Sequence, residues 1–269
     1  MKLIKPVAPL LIFLPSIAYI PVLIEVIKGI HIGGLNIILM FITSALKPSL
    51  NQLVIKSAWE GMQVTIATAL ISWAISMLIG IILGVLSTDL FWKFIPNFSF
   101  LGRFLKFGLA IPRSIHEVVW GILFIQILGL NIWLAIISIV IPYSALTARV
   151  ISDQLDGFDI KPLKAVRQTG SNSMGSFITI LFPKLIPIIS KYGSYRLECA
   201  IRGATLLGMF GLGGIGTELY LTLKSLEFRE MWTSLWILYL AMILLEKFIR
   251  FIRKNLFTEI NIKKSLLTL

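Results

Sequence analysis

Of the chain's 269 residues, 57% are hydrophobic and only 14% charged, with a mean hydropathy of +0.90. A soluble domain carries about 25% charged residues, so this composition excludes a soluble globule and implies a polytopic, all-α membrane protein. The net charge of +12 reads as basic inner loops, not nucleic-acid binding, because no Lys/Arg run is interleaved with exposed aromatics.

The N-terminus opens with Lys2 and Lys5 before an apolar run. Ser16-Ile17-Ala18 resembles a signal-peptidase site, but the run continues to Ile27, long enough for a retained first span over 7–27. Prolines 9, 15 and 21 should bend it. The segment 35–46 is apolar but too short to cross, which predicts an interfacial or re-entrant helix. Further spans are predicted over 62–86, 132–150 and 232–251. Two more regions are apolar but interrupted by charge. One is 108–130, with Arg113 and Glu117; the other is 177–206, with Lys191, Arg196, Glu198 and Arg202. That makes about six transmembrane helices. Threaded from an inside N-terminus, they leave 16 Lys/Arg inside and 5 outside, which predicts both termini in the cytoplasm. The expected divisions are a first span with its outer segment (1–50), a transmembrane domain (51–254) and a cytoplasmic tail (255–269).

Several motifs fail on inspection. "HEVVW" at 116–120 lacks the second histidine of a zinc protease. "GSNSMGS" at 170–176 has Walker A glycine spacing, yet Ser176 stands where the lysine must be. Cys199 is the only cysteine, so no intrachain disulfide or cysteine metal cluster can form. Gly211-Leu212-Gly213-Gly214-Ile215-Gly216 matches the dinucleotide fingerprint by letter, but it follows a membrane helix rather than a strand. No ATP site is expected in this chain. Met231, Trp232 and Trp236 read as packing and interface anchors.

The inner loop "DQLDGFDIKPLKAVRQTGSNSMGSFITILFP" carries the sharpest pattern. Pro162 can start a short helix at its first turn. Ala165 and Val166 offer a small apolar face, and Gly170 permits a sharp turn after it. Lys164-Ala165-Val166, then Gly170, then Ile180-Leu181-Phe182-Pro183 resembles, in spacing throughout, the coupling loop of ABC importer permeases. Lys164 replaces the usual acid and Phe182 the usual leucine. "RSIHEVVW" (113–120), "AVRQTGSN" (165–172), "YRLECAIRGATLLGMFGLGGIG" (195–216) and "LEFREM" (226–231) are similar to the phosphonate-type branch of that family, which includes phosphite permeases. The resemblance covers 55–250.

The resemblance implies a type I ABC importer permease working as a homodimer in the bacterial inner membrane. Two cytoplasmic ATPases would bind ATP and Mg and dock on 158–172. Pro162, Lys164, Ala165, Val166, Arg167, Gly170, Ile180 and Pro183 would form the coupling element. An external binding protein would deliver a phosphonate or a reduced phosphorus oxyanion. An amino-acid or osmolyte permease is the alternative cargo reading. A lipid-modifying membrane enzyme is the alternative from another class, with His116–Glu117 its only candidate pair.

Ionisable groups at membrane depth cost about 2.5–3.5 kcal/mol each on insertion scales, so they persist when paired or when they line water. Glu198 and Arg202 are spaced i, i+4 and can pair; Arg113 and Glu117 repeat that spacing in reverse order. They read either as buried register-fixing pairs or, with Arg196, as a pathway for an oxyanion that the arginine fork suits. The glycines 208, 211, 213, 214 and 216 are expected where backbones approach closely, as an outer gate between two subunits.

Overall fold

Every regular element among the described residues is a helix. The computed structural model describes residues 19–29, 32–92, 99–159 and 161–266, and the chain divides into two units, Met1–Pro48 and Ser49–Leu269. In the first unit, α1 (Tyr19–Gly29) and α2 (Ile32–Ala45) expose nearly all their apolar side chains, including Leu23, Ile27, Leu39 and Ile42. A surface of that kind is suited to lipid. Residues 7–18 of the expected first span, with the peptidase-like site, lie outside the described residues.

In the second unit, Asn51 caps α3 (Gln52–Ser87) by accepting the Leu53 amide. The short α4 (Asp89–Trp92) follows, then α5 (Ser99–Gly108), α6 (Ala110–Ser114) and α7 (Glu117–Leu128). Next come α8 (Ile132–Asp156), α9 (Lys161–Gln168) and α10 (Ser173–Leu207). A π-turn (Gly208–Leu212) leads into α11 (Ile215–Lys224), and α12 (Phe228–Leu266) closes the unit. α3 and α8 are each long and apolar enough to cross a membrane; counting bent pairs, one of them in the first unit, raises the number to five among the described residues. The expected span over 232–251 falls inside α12. The expected span over 108–130 is not one helix: Phe100–Ser114 meets Glu117–Leu128 at 80°. His116 breaks the chain there with extended backbone and caps α7 through its Nδ1.

The centre of this unit is the crossing of α3 with α8. Gly80 and Gly84 form a small-x-x-x-small pair on one face of α3. A Cβ on Gly80 would lie 2.5 Å from the Thr147 Cβ, and one on Gly84 would lie 2.8 Å from the Ile151 Cβ. Thus only hydrogen at these positions lets the two backbones come this close. Buried hydroxyls on the two helices mostly bond back to their own backbone, Ser152 Oγ of α8 being the one left without a partner among the described residues. Ser72 donates to the Thr68 carbonyl, Ser76 to Trp73 and Ser138 to Leu134. The Trp73 indole then ties α3 to α10 by donating to the Gly193 carbonyl at 2.8 Å.

Two apolar cores lie toward opposite ends of α3 and α8. One gathers Met62, Ala69, Leu134, Ile139, Ile201, Leu207 and Ile215. The other gathers Leu90, Ile151, Leu155, Leu163, Leu181 and Leu185. Beside the second core, Asp156 at the end of α8 accepts from the Thr88 hydroxyl, the Leu90 amide and the Lys106 ammonium. Overpacking a filled core costs about 1–3 kcal/mol, so Gly80→Leu should destabilise the chain by at least that amount. Thermal unfolding of the purified protein in detergent measures it.

Candidate functional site

The expected coupling element forms a helix of its own, α9. Asp159 accepts the Lys161 amide at its start, and Pro162 sits in the first turn, where its missing N–H is no loss. Leu163 is 1% exposed and inserts into the core built by α3, α8 and α10. Lys164 and Ala165 face outward, and Val166 is half-buried. The Arg167 backbone belongs to α9; its side chain lies outside the described residues. Gly170 has φ 91 with open space around it, and the chain turns there. Asn172 then caps α10 by accepting the Gly175 amide at 2.7 Å. Ile180 packs against the core that holds Leu163, while Pro183 is exposed within α10. Sequence reasoning missed Leu163 as the anchor. The available signal was its i, i+3 spacing with Val166 in an otherwise polar helix.

The membrane charges separate into two groups. Arg196 is 8% exposed. Its guanidinium lies over the rings of Tyr143 (4.5 Å) and Tyr192 (5.3 Å), and its Nε donates to the Tyr192 hydroxyl at 2.8 Å. The Tyr143 hydroxyl donates to Glu117 Oε1 at 3.2 Å, and Glu117 Oε2 lies 3.4 Å from His116 Nε2. His116 Nδ1 accepts the Val118 amide, which leaves Nε2 as the nitrogen able to donate to Glu117. This network joins α7, α8 and α10. Arg113 does not pair with Glu117, contrary to the i, i+4 expectation. Arg113 lies in α6 and Glu117 begins α7 beyond the bend, and the spacing rule holds only within one helix.

Glu198 and Arg202 do pair along α10, at 3.0 Å, but their side chains are 43% and 59% exposed. The expected buried pair is therefore an exposed one. Two residues from Arg196, the helix has turned from the core to an open face. That face borders a cleft of about 430 Å³ between α10 and α12, lined by Lys191, Tyr195, Glu198, Tyr239, Glu246 and Arg250 among others. Arg250 pairs with Glu246, whereas Lys191 forms no ion pair with a described carboxylate.

At the far end of α10 the glycines make a welded turn. Gly211, Gly213 and Gly214 all have φ near 90°. The region occupied by Gly213 and Gly214, with ψ near 180°, is essentially reserved for glycine. A Cβ on Gly214 would strike Thr65 Oγ1, one on Gly216 would strike the Thr205 carbonyl, and one on Gly208 would lie 2.5 Å from the Gly213 carbonyl. The Ile215 amide donates to Thr65 Oγ1 at 2.9 Å, and that hydroxyl donates to the Gly61 carbonyl at 3.1 Å. The close approach expected at these glycines is thus found inside one chain, between this turn and α3. From the turn α11 departs at 57° to α10.

Residues 76–261 match the family of binding-protein-dependent transport system inner membrane components. The chain belongs to this family. Among curated relatives, it is 26% identical over 156 residues to the phosphite transport system permease protein PtxC of Stutzerimonas stutzeri, a match covering 56% of this chain and 57% of that one. It is also 24% identical to the putative cryptic phosphonate transport system permease protein PhnE2 of Escherichia coli K12, over 44% of this chain and 98% of that one. The chain thus spans little more than half the length of PtxC. A chain of the methionine ABC transporter MetNI, in an inward-facing conformation, superposes with a TM-score of 0.67 at 19% identity. That match covers 77% of this chain and 99% of the other. The fold is that of an ABC importer permease.

Within this permease, a side chain at Gly214 would meet both a forbidden backbone conformation and the Thr65 hydroxyl. Strain of that kind costs about 1–3 kcal/mol. Gly214→Ala should lower stability by that order. Gly34→Ala, at a helical site with open space around it, should not, and paired melts of the two variants make the comparison.

Proposed function

We propose that this chain is the membrane-spanning subunit of an ATP-driven importer for phosphonate or a reduced phosphorus oxyanion such as phosphite. The observation that carries the reading is the mounting of α9. Its outer face, with Lys164 and Ala165, is free to meet a partner, while Leu163 fixes its inner face to a core shared by α3, α8 and α10. A displacement of α9 therefore moves three long helices, not a loop. A separate ATPase docking on 158–172 would supply that displacement, holding the ATP and Mg itself.

α10 is the lever that follows. Its 35 residues span about 52 Å at 1.5 Å each. The coupling base is at one end, Arg196, Glu198 and Arg202 lie along it, and the glycine turn is at the other end. A second copy of the chain would complete the pathway, an external binding protein would deliver cargo, and both termini would lie on the ATPase side. The names of PtxC and PhnE2 support the phosphorus cargo, and the arginine fork matches its oxygens. The exposed Arg202, beside the α10–α12 cleft, is the better pathway candidate. Arg196, stacked between two tyrosines, holds helices together in this conformation. The lipid-modifying alternative draws little support, because Glu117 is buried behind Tyr143.

The docking reading is tested by copurification. Leu163→Asp places a charge in the core under α9 and should abolish recovery of the ATPase while the permease still inserts; full recovery would overturn it. The cargo reading is tested by growth on a single phosphorus source. A deletion strain should fail on a phosphonate or on phosphite and grow on phosphate. Arg202→Ala should reproduce the defect with the ATPase still bound. Normal growth of the deletion strain on all three sources would overturn the phosphorus assignment.

A further inference from the structure

α10 carries a polar strip that the coupling role does not use. Lys191, Tyr195, Glu198 and Arg202 are spaced i, i+4, i+7 and i+11, so they fall on one narrow line of the helix. The opposite side is held. Gly193 sits against Trp73 and Met77 of α3, and its carbonyl accepts the Trp73 indole at 2.8 Å. The polar strip is therefore turned away from α3. Across the cleft, Tyr239, Glu246 and Arg250 follow the spacing i, i+7 and i+11 on α12. Two lines of ionisable and hydroxyl groups thus border one space of about 430 Å³. Small-molecule sites commonly measure roughly 300–1,000 Å³.

From Lys191 to Arg202 the strip runs about 16 Å at 1.5 Å per residue, within the Ile178–Leu212 arm of a bent span. Charged groups at membrane depth persist where they are paired or meet water, so a strip of this length on the flank of a span borders a water-filled path and not acyl chains. Its charges are not evenly matched. Glu198 holds Arg202 at 3.0 Å, and Glu246 holds Arg250. Lys191 forms no ion pair among the described residues, and Glu198 stands two turns away, roughly 10 Å along the helix. The cleft therefore presents one uncompensated ammonium alongside two closed ion pairs. The exposed Tyr195 and Tyr239 add hydroxyl groups able to donate.

We propose that the α10–α12 cleft is a low-affinity site for a free tetrahedral phosphorus oxyanion, with the Lys191 ammonium as its principal ligand and the Tyr195 and Tyr239 hydroxyls as further donors. The proposal rests on the cargo reading above and names where in this chain that cargo is held. An ammonium on a flexible stem meets a phosphorus oxyanion as a point charge. Arg202 and Arg250 are already closed on carboxylates, so Lys191 is the group that meets the ion first. A single spare charge in an open cleft holds an ion firmly enough to admit it and weakly enough to release it. A lipid headgroup phosphate offers the same chemistry, but it stays at the interface, whereas the strip continues along the span.

Phosphorus NMR of phosphite and of methylphosphonate, each added to the full chain purified in a sugar detergent free of phospholipid, tests the site without requiring transport. Binding broadens the resonance of the ion. The broadening should fall several-fold with Lys191→Ala, persist with Lys191→Arg and be unchanged with Lys224→Ala, at the exposed end of α11. No broadening by the wild-type chain, or equal broadening by Lys191→Ala, would overturn the site. Retention of added phosphatidylglycerol by the wild-type chain but not by Lys191→Ala, with both free ions unaffected, would assign the lysine to a headgroup and overturn the free-ion source. The cargo reading fails separately. A deletion strain unable to grow on phosphite, with no Lys191-dependent broadening, removes this cleft and leaves the cargo standing. Lys191-dependent broadening, with a deletion strain that grows on every phosphorus source, upholds the oxyanion site and removes the cargo.

Discussion

The approach of α3 to α8 over Gly80 and Gly84 sets the geometry of the second unit. In a bilayer the lipid tails are as apolar as leucine, so helices gain little by hiding apolar surface from them; close packing and satisfied polar groups hold them instead. Hydrogen atoms at two positions and hydroxyls that bond back to their own helix provide both. Once the two backbones are in contact, Asp156 meets Thr88, the Leu90 amide and Lys106. The lower core then closes around Ile151 and Leu155.

The working parts are placed on that frame. Leu163 seats α9, the element expected to meet an ATPase, in the second core, among Leu181 and Leu185 of α10 and Ile151 and Leu155 of α8. At the other end, Thr65 of α3 bridges the Ile215 amide and the Gly61 carbonyl, so the glycine turn is stiff with respect to α3. The charged middle of α10 divides between these ends. Arg196 is enclosed by aromatic rings, and Glu198 and Arg202 turn outward. A single helix thus carries a structural cation and an exposed ion pair within seven residues, because two positions along a helix are about 200° apart around it.

Much of the coupling element was legible in the letters, because backbone constraints are local. A proline in the first turn and a glycine at positive φ act through their own φ and ψ, and each sits where the pattern placed it; the capping role of Asn172 was not read from the letters. The Arg113–Glu117 pair was misread for a related reason. The spacing rule assumes an unbroken helix, and the chain leaves the helix at Ile115–His116, where His116 caps α7. The glycine run was expected as a close approach between two subunits; at Gly208, Gly214 and Gly216 the close contacts lie within this chain. Its partner, α3, lies some 150 residues earlier in the chain, and no local pattern names it.

The sequence by itself determined the apolar character of the chain, its helical class, the long helices that contain 62–86 and 132–150, and the family-type loop. These follow from composition, periodicity and single-residue backbone preference, which need no distant partner. The tertiary structure decided which glycines serve as contact surfaces, which arginine is enclosed and which is open, and what the coupling helix stands on. Those outcomes depend on the distance between elements far apart in sequence. In this chain that distance is set by the absence of a Cβ at Gly80 and Gly84.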